Sequence, residues 1–295
     1  MLPLESVPNF SEGRSRETID AISAALGRHA RLLDVHADPD HNRSVFTLVG
    51  DEAQLAAALV AGVEVAREKI DLRFHEGAHP RIGAADVVPI VPVVPGDLAR
   101  AREAAREVGR RIGELGLPVF LYEPPARGPA FYRRGGTPEL QRRLDEGELA
   151  PDFGPARLDP SAGAVIVGAR PPLIAFNVNL RGSIEAAREI AAVVREAGGG
   201  FPGVRALGLD LPAAGLVQVS MNVEDWEAAA LHEIVARIHS EAAARGMEVM
   251  GSELVGLIPA GAVVSAARPA LGIAGFEPSR VLELRLLSDG IGSEA

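Results

Sequence analysis

The strongest constraint on this chain is an order of elements that occurs twice. Short β-branched runs bounded by turn residues mark strands, and apolar residues at three-to-four spacing mark helices. A strand ending near Val7 precedes a helix over about Arg14–Arg28, on which Ile19, Ile22, Ala25 and Leu26 share one face. Strands follow at Leu32–His36 and Ser44–Val49, then a helix over Glu52–Lys69 and an apolar strand, Asp86–Val93. From Leu173 the order returns: strand Leu173–Asn179, helix Ile184–Glu196, strands Val204–Leu209 and Leu216–Asn222, helix Trp226–Arg245, strand Met247–Gly251. This β-α-β-β-α-β order is the ferredoxin-like unit. The expected class is therefore α+β, with two ferredoxin-like subdomains, residues 1–172 and 173–295, and a ligand cleft between them.

The first half is extended by a helix over Leu98–Leu115 and strands Val119–Tyr122 and Ala164–Val167. Between those strands, Pro124–Pro160 is rich in Arg, Pro and Gly and reads as one irregular stretch, a length usually functional or mobile. Gly198-Gly199-Gly200 follows a predicted helix, where a C-terminus needs a residue tolerant of positive φ. Anion-binding glycines precede a helix, so this run is read as structural.

Composition narrows the partners. With 295 residues, 47% hydrophobic and 24% charged, the chain can bury a sizeable core. A net charge of -10 opposes phosphate backbones, and no nucleic-acid partner is expected. There is no cysteine, so a thiolate nucleophile is excluded and any metal would need His or carboxylate ligands. The start lacks a basic n-region and every apolar run is cut short of membrane-spanning length, which makes cytoplasmic residence without a membrane partner the default expectation.

His75-Glu76-Gly77-Ala78-His79 spells the zinc-protease pattern H-E-x-x-H. That chemistry requires a helix placing both imidazoles on one face. Gly77 inside the segment and Pro80 directly after it disfavour one. The segment is read as a loop without metal. It nevertheless gathers two His, a Glu, Arg81 and the downstream Asp86, and a neutral imidazole is the usual general base near physiological pH. Asp38-Pro39-Asp40-His41-Asn42-Arg43 is a turn between strands, and Arg43 could offer its guanidinium fork to a carboxylate. Asp152-Phe153-Gly154-Pro155 opens a segment closing at Ser161-Ala162-Gly163, whose main-chain N–H groups could meet a heterocycle's edge. His232 and His239, seven apart on a predicted helix, are read as surface or core residues.

Several segments carry a resemblance. Val7-Pro8-Asn9-Phe10-Ser11-Glu12-Gly13-Arg14 resembles the opening of the glutamate formiminotransferases, the N-terminal part of the formiminotransferase-cyclodeaminases. Leu33-Asp34-Val35, Asn42-Arg43, His79-Pro80-Arg81 with Gly83-Ala84 and Asp86, and Ala150–Pro155 agree in order, as do Gly168-Ala169-Arg170 and Leu173-Ile174-Ala175-Phe176-Asn177. Gln218-Val219-Ser220 and Gly251-Ser252-Glu253-Leu254-Val255-Gly256-Leu257 complete the set. The resemblance implies a homodimer that transfers a formimino group between glutamate and tetrahydrofolate, in a single-activity form without the cyclodeaminase domain. It implies His79 as the catalytic base, with Asn9, His36, Arg43 and Arg81 around the substrate. Its folate-contacting loop maps to Gly154, Pro155, Ala156, Arg157, Leu158, Asp159, Pro160, Ser161, Ala162 and Gly163.

Two positions depart from the family pattern. His36 stands where the family has an acidic residue, and Ala162 where better-known members have an aromatic one. Tetrahydrofolate is thus expected as co-substrate, with glutamate or formiminoglutamate as the other small molecule. The alternatives are a related formyl or formimino transferase or hydrolase with a different acceptor, and a folate-binding protein without catalysis.

Overall fold

The structure, a computed structural model, describes residues 2–123, 127–273 and 275–285. Its first strand is in two pieces, β1 (Leu4–Ser6) and β2 (Asn9–Phe10), separated by Val7 and Pro8. Proline has no N–H for a ladder, so pairing breaks there. Both pieces still lie antiparallel between the same two neighbours. Helix α1 (Arg16–Gly27) begins where the Ser15 hydroxyl accepts from the Thr18 N–H, and it buries Ile19, Ile22, Ala25 and Leu26. Strands β3 (Arg31–Asp38) and β4 (Arg43–Gly50) pair antiparallel. Helix α2 (Glu52–Lys69) opens on a capping box: Asp51 accepts from the Gln54 N–H, and the Gln54 side chain accepts from the Asp51 N–H. Strand β5 (Ala85–Pro92) completes the unit, and the spatial order is β3, β4, β1 with β2, β5. That is the ferredoxin-like arrangement expected from the element order.

Helix α3 (Leu98–Glu114) and strand β6 (Val119–Tyr122) follow. The next stretch corrects the sequence reading. Where one irregular segment was expected, the chain forms α4 (Pro129–Arg133) and α5 (Gly136–Asp145); residues 124–126 lie outside the described residues. Pro129 sits in the first turn, where its fixed φ suits a helix start. Leu140 and Leu144, one turn apart, are buried with Tyr132 against Val87, Phe120 and Ile166 of the sheet. Strand β7 (Val165–Ala169) lies parallel to both β5 and β6. Val88 and Ile90 of β5 join the core beneath α1, α2 and α3, while Val87 joins the one beneath α4 and α5. β5 is therefore buried along its whole length, as a strand covered on both faces must be.

The second unit repeats the plan with β8 (Ile174–Arg181), α6 (Ile184–Val194), β9 (Val204–Leu211), β10 (Leu216–Val223), α7 (Leu231–Ala244) and β11 (Glu248–Val255). Its sheet order is β11, β8, β10, β9, the same order as in the first unit. A further helix, α8 (Ala260–Leu271), follows. Helix α7 starts five residues later than predicted, because the Asp225 carboxylate accepts from the Ala228 N–H and holds a turn ahead of it. Gly199, at φ 81°, ends the 3-10 turn after α6, where a glycine is needed. By contact the chain divides into two compact units. One runs through Pro172 and includes Leu211–Ala214; the other holds Leu173–Asp210 and resumes at Gly215. Among the described residues no helix is long and apolar enough to cross a membrane.

Candidate functional site

The segment from His75 to Pro80 is a loop, as Gly77 and Pro80 require, entered from a 3-10 turn at Leu72–Phe74. Asn42 fastens it. This residue adopts φ 46°, a left-handed conformation that Asn tolerates better than most side chains. Its Oδ1 accepts from the Gly13 N–H at 2.9 Å and its Nδ2 donates to the Glu76 carbonyl at 2.9 Å. Three distant segments meet at that one amide. Gly77 passes so close to the turn that an added Cβ would lie 2.3 Å from the His41 carbonyl oxygen.

His79 emerges from this loop into a group of opposite charges. Asp86, fully buried, accepts from the Ile82 N–H at 2.8 Å, from Arg43 Nη1 at 3.0 Å and from Arg133 Nη2 at 2.5 Å. Burial alone would raise its pKa, but Arg133, Arg43 and the Ile82 N–H outweigh it and hold the carboxyl at about 2. Arg43 is bridged to Asn9, whose Oδ1 accepts from Arg43 Nε at 2.9 Å while its Nδ2 donates to the Val7 carbonyl. Burial lowers Arg43 to about 10, which leaves it charged. His79 is held well below its ordinary value of 6.5, first by burial and then by the Arg43 and Arg133 charges, against the opposing pull of Asp86. The imidazole is neutral at physiological pH.

Its tautomer follows from the partners. His79 Nδ1 lies 2.8 Å from the Pro80 carbonyl oxygen and 3.2 Å from Arg43 Nη1. A carbonyl only accepts and a guanidinium only donates, so one ring nitrogen cannot serve both. The shorter contact assigns the proton to Nδ1, and this leaves a lone pair on Nε2 that can accept a proton. The ring of His41, itself 8% exposed, stands with its centroid 6.2 Å from that of His79. His75, His79, Arg81 and Arg133 line a cavity of about 680 Å³ together with Leu72, Gly77 and Gly135.

Arg81, expected at the substrate, lines the cavity and also binds its own loop. Its Nε donates to the His79 carbonyl at 3.0 Å, and its Nη groups donate to the His41, Asn42 and His79 carbonyls. It also contacts the His75 ring. These bonds hold the loop around His79 in place. A guanidinium not singled out in the sequence is Arg133, which lay in the stretch read as irregular and reaches Asp86 across 47 residues of chain. The only local signal for it was Pro129 ahead of the aromatic pair Phe131-Tyr132.

His36 lies farther away. It pairs with Val45, which pairs with Asn9, so it shares their sheet face at two strand spacings from Asn9, roughly 10 Å. The loop from Gly154 to Gly163 docks beside the His-bearing segment, where the Leu72 N–H donates to the Ser161 carbonyl at 2.8 Å. Its main-chain donors from Leu158 to Gly163 are already engaged. The N–H groups of Ser161 and Ala162 donate to Asp159 Oδ1, that of Gly163 to the Asp159 carbonyl, and those of Leu158 and Asp159 to Gln141 and Gly163. Ala162 is 2% exposed and belongs to the core. Pro155 and Pro160 have no N–H, and the exposed residues of this loop are Gly154, Pro155, Ala156, Arg157 and Pro160.

Fold and site together define an α+β protein of two ferredoxin-like units, the first of which holds a histidine, His79, kept neutral by burial and by neighbouring guanidinium groups. Comparison with known proteins makes this more specific. Residues 3–170 match the family described as "Formiminotransferase domain, N-terminal subdomain" and residues 175–271 that described as "Formiminotransferase domain". The glutamate formimidoyltransferase of Streptococcus pyogenes serotype M1 is 40% identical over 294 residues, covering 96% of this chain and 98% of that protein. That of Thermoplasma acidophilum is 39% identical, covering 96% and 97%. The rat formimidoyltransferase-cyclodeaminase is 41% identical over 278 residues, 90% of this chain and 51% of that protein. The chain belongs to the formiminotransferase family.

Proposed function

We propose that this protein is a transferase moving a formimino group between N-formimino-L-glutamate and tetrahydrofolate, in histidine degradation and one-carbon metabolism. The observation that carries this reading is His79: a neutral imidazole whose Nδ1–H is oriented by the Pro80 carbonyl and whose ring lines the cavity. The attacking nitrogen bonds to the formimino carbon and gives its proton to His79 Nε2. The tetrahedral adduct then breaks its bond to the other nitrogen, which takes the proton back from the imidazolium. A positioned base contributes typically about 10²–10⁴ in rate, with holding both reactants supplying much of the rest.

Glutamate carries two carboxylates, and the cavity sets Arg43, Arg81 and Arg133 against Asp86 and Glu76. Arg133 and Arg43 are taken as the carboxylate-binding pair, each through guanidinium N–H groups not engaged with Asp86, and Asn9 fixes the Arg43 fork. The face of Pro155, Ala156 and Arg157 is taken to meet the folate tail, with Arg157 facing its carboxylates. His36 is taken as an outer polar residue of the substrate side. Within this reading residues 1–172 and 173–295 are the N- and C-terminal subdomains, and the protein is a cytoplasmic homodimer.

The test is an assay with formiminoglutamate and tetrahydrofolate in which formiminotetrahydrofolate and free glutamate are both measured. Equal formation of the two products is expected. Glutamate release without the folate product would identify a hydrolase instead.

A further inference from the structure

One member of the segment His75-Glu76-Gly77-Ala78-His79 has no part in the proton transfer at His79. Glu76 lines the same cavity of about 680 Å³ as His79, Arg81 and Arg133, and among the described residues that line it Glu76 alone is acidic. Its backbone is fixed. The Glu76 carbonyl accepts from Asn42 Nδ2 at 2.9 Å, and Gly77 after it packs against the His41 carbonyl too closely for a Cβ. Glu76 is exposed, and among the described residues its carboxylate takes no hydrogen bond or ion pair. Two other carboxylates near the segment are committed. Asp86 accepts from the Ile82 N–H, Arg43 and Arg133, while Glu12 Oε1 accepts from the N–H groups of Arg14 and Ser15.

The rest of the charge at this lining is positive, from Arg81 and Arg133 with Arg43 behind. Such a field suits the two carboxylates of formiminoglutamate and opposes its third charged group. A formimino group on an amine is an amidine, which is protonated at neutral pH with its charge spread over the two nitrogens that flank the reacting carbon. Neighbouring guanidinium groups favour loss of that proton. The neutral amidine is the poorer electrophile, because the carbon that the incoming nitrogen attacks then carries less positive charge. Guanidinium groups alone would therefore hold the ends of the substrate and disfavour the reactive form of its centre.

We propose that Glu76 is a specificity-determining residue whose carboxylate pairs with the formamidinium of formiminoglutamate. An amidinium offers two N–H groups along one edge, as an arginine fork does, and a carboxylate accepts both in the amidinium plane. Pairing in that plane leaves the faces of the central carbon open to the attacking nitrogen. It also separates this substrate from its formyl counterpart, a neutral amide whose oxygen only accepts and so meets the carboxylate unfavourably. This recognition deepens the proposed function and rests on formiminoglutamate being the donor.

The test is isothermal titration, without tetrahydrofolate, of N-formimino-L-glutamate and of N-formyl-L-glutamate, which keeps both carboxylates and lacks the positive charge. Glu76→Gln keeps the side chain's size and removes its charge. It is expected to weaken formiminoglutamate at least about fivefold and to leave N-formylglutamate within about twofold or bind it more tightly, so that the ratio of the two Kd values collapses. Glu76→Ala should lower the ratio likewise and serves if the first variant fails to fold; Glu76→Asp, which keeps the charge, should retain more of it than Glu76→Gln. Equal weakening of both ligands would mean that Glu76 shapes the loop and would overturn the inference. An unchanged ratio in Glu76→Gln and Glu76→Ala would overturn it while leaving the proposed function intact. If the unaltered protein forms no formiminotetrahydrofolate from formiminoglutamate, the donor reading itself falls, and this inference with it.

Discussion

His79 and His75 differ in what surrounds them, and that difference predicts their roles. His79 lines the cavity with its Nε2 uncommitted, whereas His75 is engaged with Arg81 and the Asn42 carbonyl. His79→Ala should lower turnover at least about 10²-fold in a folded protein. His75→Ala should change it far less; steady-state kinetics with circular dichroism as a folding control decides this. Asp86 predicts a stability effect. In Asp86→Asn two buried guanidinium groups lose their counter-charge, which should cost about 3–5 kcal/mol in denaturant unfolding. The grouping of Asn9, Arg43 and His79 was legible because each sits in a segment whose neighbours are also recognisable. Arg133 was not, since a pairing 47 residues distant leaves no spacing pattern. For Arg81, residue type suggested a substrate contact, and the fold adds that its donors reach three carbonyls of the loop.

The loop and helices that frame the base determine its pH behaviour. His79 has a folded pKa below the ordinary 6.5 because the loop buries it next to Arg43 and Arg133. Below pH 6.5 the unfolded chain takes up a proton that the native state resists, so stability falls as pH drops through that range. Asp86 adds a second loss at lower pH. Its depressed pKa contributes stability above 3.8 that disappears as pH falls through about 2. Urea midpoints measured from pH 7 to 4 should therefore decline in the unaltered protein and decline less in His79→Gln. The acid limb of kcat/KM should also lie below 6.5. For α2 the capping box makes a separate prediction: Asp51→Ala should cost about 0.5–2 kcal/mol in thermal unfolding without altering turnover. That helix was legible to the residue because its cap and its apolar face agree. The pair α4 and α5 was not, because Gly135 and Gly136 at positive φ interrupt the pattern between them and only Leu140 and Leu144 carry periodicity.

Over the whole molecule, duplication was legible through element order alone, since both sheets show the same strand sequence with little identity between halves. What element order does not convey is the sign of the field that a substrate meets. The chain has a net charge of -10, yet the cavity gathers Arg81 and Arg133 at its lining with Arg43 behind, against Glu76 at the lining and the buried Asp86. Both proposed substrates are anions. At an ionic strength of 0.01 M the Debye length is roughly 30 Å, so an approaching anion meets the repulsion of the whole molecule; at 0.1 M it is roughly 10 Å, and mainly the local guanidinium groups remain. Screening should thus favour capture: kcat/KM for tetrahydrofolate should rise as salt increases from 0.01 to 0.1 M, with kcat unchanged because the bonds at Asp86 and His79 are shielded by burial. Initial rates at subsaturating tetrahydrofolate across that range provide the measurement. A steady fall would show that the positive cavity dominates the field even at long range, and that the acidic surface has no part in steering.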